Sequence, residues 1–270
     1  MLLSHGLEGS SASHYMIGTA AKAYEAGFNT MRLNLRNCGD TEHLTETLYN
    51  SGLSADIAAI ARELIERDGL TSIFLTGFSL SGNIVLKFAG EQSDAMPPEI
   101  HGVCAVSPSL DLSACADAIE LGANRIYQHR FMKSLRRRLR RKGELYPQLY
   151  DTGGLRALRT IRQFDERFTA RDGGYLNAAD YYARASALPL IRFIKTPTLI
   201  IHAQDDPFIP FHSFRDQSIA NNPHVMLLTP RRGGHVGFLS ARTQGKEDRY
   251  WAESRAVEFC TLVEEGLSQD

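Results

Sequence analysis

The sequence predicts an α/β protein built on an open, mainly parallel sheet. Short apolar runs rich in β-branched residues recur along the chain, as strands buried on both faces require. Segments with 3.6-residue apolar spacing fall between them. The two kinds alternate, which is the order that parallel strands joined by crossover helices produce. The chain has 270 residues and 43% hydrophobic content, and a chain of this length buries roughly three quarters of its unfolded surface in one large core.

Each element follows from its local pattern. "LLSHGLEGSS" (2–11) places His-Gly at the end of an early strand, followed by a Gly/Ser turn that enters a helix. "SHYMIGTAAKAYEAG" (13–27) is that helix, stopped by glycine. "FNTMRLNLR" (28–36) alternates near its end and reads as a strand. "SADIAAIARELIERDG" (54–69) is again a helix ending on glycine. "TSIFLTG" (71–77) is a strand, "SGNIVLKFAGEQ" (81–92) a helix and "HGVCAVS" (101–107) a strand. The next strand patterns are "TPTLIIHA" (196–203) and "HVMLLTP" (224–230), and a helix is predicted over 247–267. The stretch 108–195 breaks the rhythm. It is helical in character, and so long a connection needs its own structure. The predicted organisation is therefore an α/β core over 1–107 and 196–270, with a helical cap over 108–195 inserted above the C-terminal edge of the sheet.

Composition narrows the function. The net charge of −1 gives no global field toward nucleic acid, and no nucleic-acid partner is expected. The charge is uneven, however. "KSLRRRLRRK" (133–142) carries seven basic residues and no acid. It reads as a solvated outer face, or as an interfacial helix making peripheral membrane contact, since Leu135 and Leu139 are four apart amid cations. Cys38, Cys104, Cys115 and Cys260 form no C-x-x-C pair and no zinc-ligand spacing. They are read as buried or semi-buried free thiols suited to a reducing compartment. The N-terminus lacks a signal-peptide stretch, and no run approaches the roughly 20 apolar residues that span a bilayer. A cytoplasmic chain without metal is expected.

"GFSLSG" (77–82) follows a predicted strand and opens a predicted helix. Gly-x-Ser-x-Gly in that context lifts a serine above the sheet as a nucleophile. Here Ser79 takes the nucleophile's place, Gly77 is the small residue two before it, and Ser81 stands where the second glycine usually falls. A hydroxymethyl group there is tolerable only if the packing leaves room. An attacking serine needs a base, and the base needs an orienting carboxylate, in the chain order Ser, Asp or Glu, His. "HAQDDPFIP" (202–210) puts Asp206 at a strand end, with Asp205 one residue away as a rival acid. Asp111, after an earlier strand, is a further rival. "RRGGHVGF" (231–238) puts His235 on a glycine-flanked loop. Oxyanion donors are expected from the backbone N–H groups of Leu80 and Leu7, with His5 bracing the loop.

Together, "HGLEGSS", "NLRNCGD", "LYNSG", "GFSLSGNI", "FDERFTA", "DYYARASALPLI", "PTLIIHAQDDPFIP" and "GGHVGF" resemble the α/β-hydrolase superfamily, in its YheT-like branch, over nearly the whole chain. The resemblance implies an α/β-hydrolase fold and a Ser-His-Asp carboxylester hydrolase without metal or organic cofactor. It implies substrates among short- and medium-chain acyl esters and lipid esters, with some relatives transferring acyl groups to alcohols. A catalytically impaired scaffold is the alternative that Ser81 raises. Members of this branch also carry an N-terminal stretch that builds strands ahead of the oxyanion loop. This sequence opens almost on that loop, so the first strands are expected to be missing and a sheet edge left unpaired.

Overall fold

The computed structural model describes residues 1–241 and 249–267. Among these residues six strands form one sheet: β1 (Leu2–Ser4), β2 (Met31–Leu33), β3 (Ile73–Phe78), β4 (Ile100–Val106), β5 (Thr198–Ile201) and β6 (Val225–Leu228). Their order is β2-β1-β3-β4-β5-β6, and every pairing is parallel. The helices are α1 (His14–Glu25), α2 (Ser54–Glu66), α3 (Leu80–Gln92), α4 (Leu112–Glu120), α5 (Arg125–Leu145), α6 (Ile161–Phe164), α7 (Ala170–Asp172), α8 (Ala178–Ala185), α9 (Gln217–Ala220) and α10 (Trp251–Leu267). The helix predicted over 247–267 begins at Trp251, and positions 247 and 248 lie outside the described residues.

The alternation of side chains along each strand divides the apolar runs between two cores. Leu2, Leu75, Val103, Ala105 and Ile200 face α2 and α3, against Ile57, Ala61, Ile84 and Phe88. Leu3, Phe78, Cys104, Val106, Leu199 and Ile201 face the other side, against Met16 and Ala20 of α1 and Ala252 and Ala256 of α10. Both faces are covered, and for that reason the strands read as continuous apolar runs. All four cysteines are free thiols, three of them buried.

The strand predicted over 28–36 is only three residues long. It lies at the sheet edge with Met31 and Arg32 exposed, paired on one side with β1. Beyond it Asn34 accepts the Ser11 N–H at 2.7 Å. Asn37 and Asp40 then take left-handed conformations (φ 62° and 65°), which end strand geometry.

The stretch between β4 and β5 holds α4–α8. Met132, Leu135 and Leu139 of α5 pack with Leu48, Tyr150, Phe164 and Phe168. Tyr181, Tyr182 and Ala185 of α8 pack with Leu112 and Ala116 of α4. A π-helical turn over Asp165–Thr169 joins α6 to α7. The basic run of α5 divides by helical spacing. Lys142 is fully buried and donates through Nζ to the carbonyls of Thr45 and Glu42. Lys133, Arg137, Arg140 and Arg141 face solvent.

Candidate active site

Register brings the candidate residues to one edge. Ser4 pairs with Gly77, Phe78 with Val106, Val106 with Ile201 and Ile201 with Leu228. The strands' C-terminal ends therefore line up, and the loops that follow β1, β3, β5 and β6 meet there, where open α/β sheets hold their ligands.

Ser79 sits between β3 and α3 with φ 53° and ψ −115°, a conformation that costs about 1–3 kcal/mol for a residue with a side chain. The turn is held from several sides. The Ser79 N–H donates to Val106 O at 2.8 Å, and Ser79 O accepts the Asn83 N–H at 3.2 Å. A Cβ on Gly77 would lie 2.2 Å from Ser81 O, and one on Gly6 would lie 2.9 Å from Ser79 Cβ. Both positions therefore exclude any side chain.

Ser81 is fully buried, yet it is accommodated. Its hydroxyl donates to His5 O at 2.5 Å and lies 2.8 Å from Ser4 Oγ. The hydroxymethyl group thus ties α3 to the end of β1.

His235 Nε2 is 2.9 Å from Ser79 Oγ, and His235 Nδ1 is 2.8 Å from Asp206 Oδ2. The Asp206 side chain is wholly buried. Its Oδ1 accepts the N–H groups of Phe208 (2.9 Å) and Ile209 (3.1 Å), which leaves Oδ2 for the imidazole. Asp205 is directed elsewhere. Its Oδ1 accepts the N–H groups of Gly233 at 2.9 Å and Gly234 at 2.8 Å, so it pins the loop that carries His235. Asp111 caps α4 by accepting the Ala114 N–H at 3.0 Å.

The loop after β1 runs beside Ser79. His5 is buried; its Nδ1 bonds Gly6 O at 2.8 Å and its Nε2 accepts the Leu35 N–H at 3.2 Å. Burial lowers its pKa to about 4, which keeps the ring neutral and able to accept at Nε2 while Nδ1–H donates. Leu7 and Leu80 line the same cavity as Ser79 and His235.

Sequence reasoning missed three features. Glu8, next to Leu7, has φ 58° and is gripped by the helical segment. Arg138 Nε donates to Glu8 Oε1 at 2.8 Å, Ser134 Oγ donates to Oε2 at 2.5 Å, and Tyr49 OH donates to Oε1 at 2.8 Å. The pair is nearly dry, with side-chain exposures of 11% and 6%. Its signal in the sequence was drowned among neighbouring arginines. Second, His202 stacks on Phe214 at 3.7 Å between ring centres, with Nδ1 3.9 Å from Asp206 Oδ2. Burial lowers its pKa to about 4, so it lends Asp206 no charge. Third, Asp165 accepts the Tyr182 hydroxyl at 2.7 Å in the cavity wall, and burial raises its pKa to about 6.

The cavity has a volume of about 120 Å³ and opens to solvent. Its walls are mainly apolar: Leu7, Leu48, Leu112, Ile119, Phe131, Leu135, Leu139, Phe164, Phe208 and Ile209. Ser79 and His235 stand in its wall. Among the described residues, no group of three or more His, Cys, Asp or Glu side chains is placed to hold a metal ion.

A family profile described as "alpha/beta hydrolase fold" matches residues 1–241. The chain belongs to the α/β-hydrolase superfamily. It is 32% identical over 270 residues to "Putative esterase YheT" of Escherichia coli K12, covering 99% of this chain and 78% of that one. It is 32% identical over 266 residues to "Monoacylglycerol lipase" of Saccharomyces cerevisiae, covering 94% of this chain and 57% of that one. The chain thus spans little more than half the length of the yeast relative. Among solved structures, the Pyrococcus furiosus esterase Pf2001 superposes with a TM-score of 0.59 at 18% identity, over 96% of this chain and 81% of that one. This superposition shows the shared fold. The chain is an esterase- and lipase-like α/β hydrolase.

Three outcomes are expected. Ser81→Gly strands the Ser4 hydroxyl and His5 carbonyl and loosens the first turn of α3, so urea denaturation should report a loss of about 1–2 kcal/mol. Arg138→Met leaves Glu8 buried without its counter-charge and should cost on the order of 3 kcal/mol in the same assay, with part recovered in the Arg138→Met/Glu8→Gln double variant. The third concerns pH. His5 and His202 hold pKa values near 4, against 6.5 when exposed. Between those values the unfolded chain binds protons that the folded chain refuses, so stability rises with pH across that window. Asp165, raised to about 6 from 3.8, acts in the opposite sense and loses its contribution as pH rises through about 6. Two groups outweigh one, so the melting temperature should fall from about pH 7 to about pH 4.5, and fall further in Asp165→Asn. A flat profile in both proteins would contradict this assignment.

Proposed function

We propose that this chain is a serine carboxylester hydrolase acting on short- to medium-chain acyl esters or lipid esters. The observation that carries the reading is the continuous hydrogen-bonded path from Ser79 Oγ through His235 to Asp206, opening on an apolar cavity. The acyl chain lies along the leucine and phenylalanine walls, and the ester carbonyl sits over Ser79. Ser79 Oγ attacks the carbonyl carbon while His235 Nε2 takes its proton. Nδ1–H donates to Asp206, which fixes the ring and stabilises the imidazolium. The N–H groups of Leu7 and Leu80 stabilise the oxyanion. His235 then gives its proton to the leaving alkoxide, and water repeats the sequence to release the acid.

In this reading residues 108–195 act as a cap over the core formed by 1–107 and 196–270. They supply Phe131, Leu135, Leu139 and Phe164 to the cavity wall, so they set the acyl length accepted. The names of the two relatives support ester chemistry of this kind. The hydrogen bonds made by Ser81 weigh against a scaffold crippled at that position.

A fluorophosphonate probe should label the wild-type chain, and Ser79→Ala should abolish labelling and lower kcat at least about 10³-fold on a chromogenic acyl ester. Asp206→Asn should lower kcat about 10⁴-fold, whereas Asp205→Asn, which loosens a loop and leaves the acid in place, should lower it far less. A folded wild-type chain that neither labels nor turns over esters would overturn the proposal.

A further inference from the structure

We propose that the outer face of α5, with the exposed turn ahead of it, docks this chain on anionic lipid bilayers. The helix carries nine arginines and lysines against one acid, Glu144, which pairs with Arg141 at 3.1 Å. Arg138 and Lys142 turn inward, as described above. Lys133, Arg137 and Arg140 follow one another at four- and three-residue spacing, so they share a single face, and that face is exposed.

The N-terminal end of this helix differs from a merely solvated surface. Leu121 is 62% exposed, Ile126 81% and Tyr127 44%. Cations along one face with large apolar side chains at its tip are what an interfacial helix presents to headgroups and to the acyl boundary beneath them. A nucleic acid would use the cations and leave Ile126 and Leu121 idle, so the lipid surface is the partner that fits both. Among the described residues no helix is long and apolar enough to cross a membrane, so the contact is peripheral.

The apolar tip also lies beside the candidate site. Tyr127 packs on Phe208 at 4.6 Å between ring centres, and Phe208 packs on His235 at 4.8 Å. The opposite face of α5 puts Leu135 and Leu139 into the cavity. A bilayer held by the outer face would therefore meet the chain close to the cavity that would take an acyl chain. Docking rests on the exposed surface alone and does not require the esterase reading.

Vesicle flotation with the full chain tests it, comparing phosphatidylcholine vesicles with vesicles that also contain phosphatidylglycerol. The wild type should float with the anionic vesicles and lose binding at high salt. Replacing Lys133, Arg137 and Arg140 with Gln should weaken binding about a hundredfold, at roughly fivefold per basic residue near the surface. Ile126→Ser should weaken it further, and Ser79→Ala should bind as the wild type does. Thermal melting should show all variants folded, and the Gln variants should keep their rate on a soluble short-chain ester if the wild type hydrolyses one. Absence of binding to anionic vesicles, equal binding to neutral ones, triple-variant binding equal to wild type, or binding to RNA without binding to vesicles would each overturn the proposal.

Discussion

The site depends on one strained turn. Ser79 is held with φ 53° and ψ −115° between a fully buried strand and a helix whose first turn is also buried. Such a conformation persists only where its surroundings leave no relaxed alternative. Here β3 lies in the middle of the sheet and β4 holds the Ser79 N–H. The β1 loop presses Gly6 against the serine's Cβ, and Gly77 lies against the backbone of Ser81. The strained turn thereby sets the Ser79 hydroxyl at the sheet edge, 2.9 Å from His235 Nε2.

Around that turn the chain supplies support from distant segments. Asp205 holds Gly233 and Gly234, so one loop carries the buried carboxylate and also fixes the loop bearing the imidazole. Glu8 is held by Tyr49, Ser134 and Arg138, so the loop proposed to supply an oxyanion donor is anchored to α5. The helical segment is thereby linked to the core by a nearly dry ion pair. Such a pair is weak evidence for net stability, because desolvation offsets much of its attraction. What it does supply is geometry, since a planar guanidinium and a carboxylate meet in few orientations.

Much of this was legible in the sequence because it rests on local patterns. Parallel strands buried on both faces announce themselves as apolar runs, and β3, β4 and β5 all lie within or beside the predicted segments. The edge strand β2 was overestimated because side-chain alternation persists past Leu33, while the left-handed residues that end it, Asn37 and Asp40, obey no such pattern. Ser79, Asp206 and His235 stood out because each ends a strand in the required order. What the sequence could not show was pairing between distant polar groups. Asp205 and Asp206 are chemically identical neighbours, and only the direction in which the turn sends each carboxylate separates them. Glu8 with Arg138 is of the same kind, 130 positions apart in the chain.

Ser81 illustrates how a local rule is met by other means. The usual glycine two residues after the nucleophile removes a side chain from a crowded interface. In this chain the β1 strand ends on Ser4, and the carbonyl of His5 points back toward α3. A hydroxyl at position 81 satisfies both groups in the space that a bare glycine would leave to them. Buried polar atoms without partners cost more than a well-placed hydroxyl contributes, so Ser4 and Ser81 are best understood as a matched pair. The departure at one position is intelligible only with its partner 77 positions earlier. Gly77 has no such freedom, because its constraint is a backbone oxygen that cannot move without undoing the turn itself.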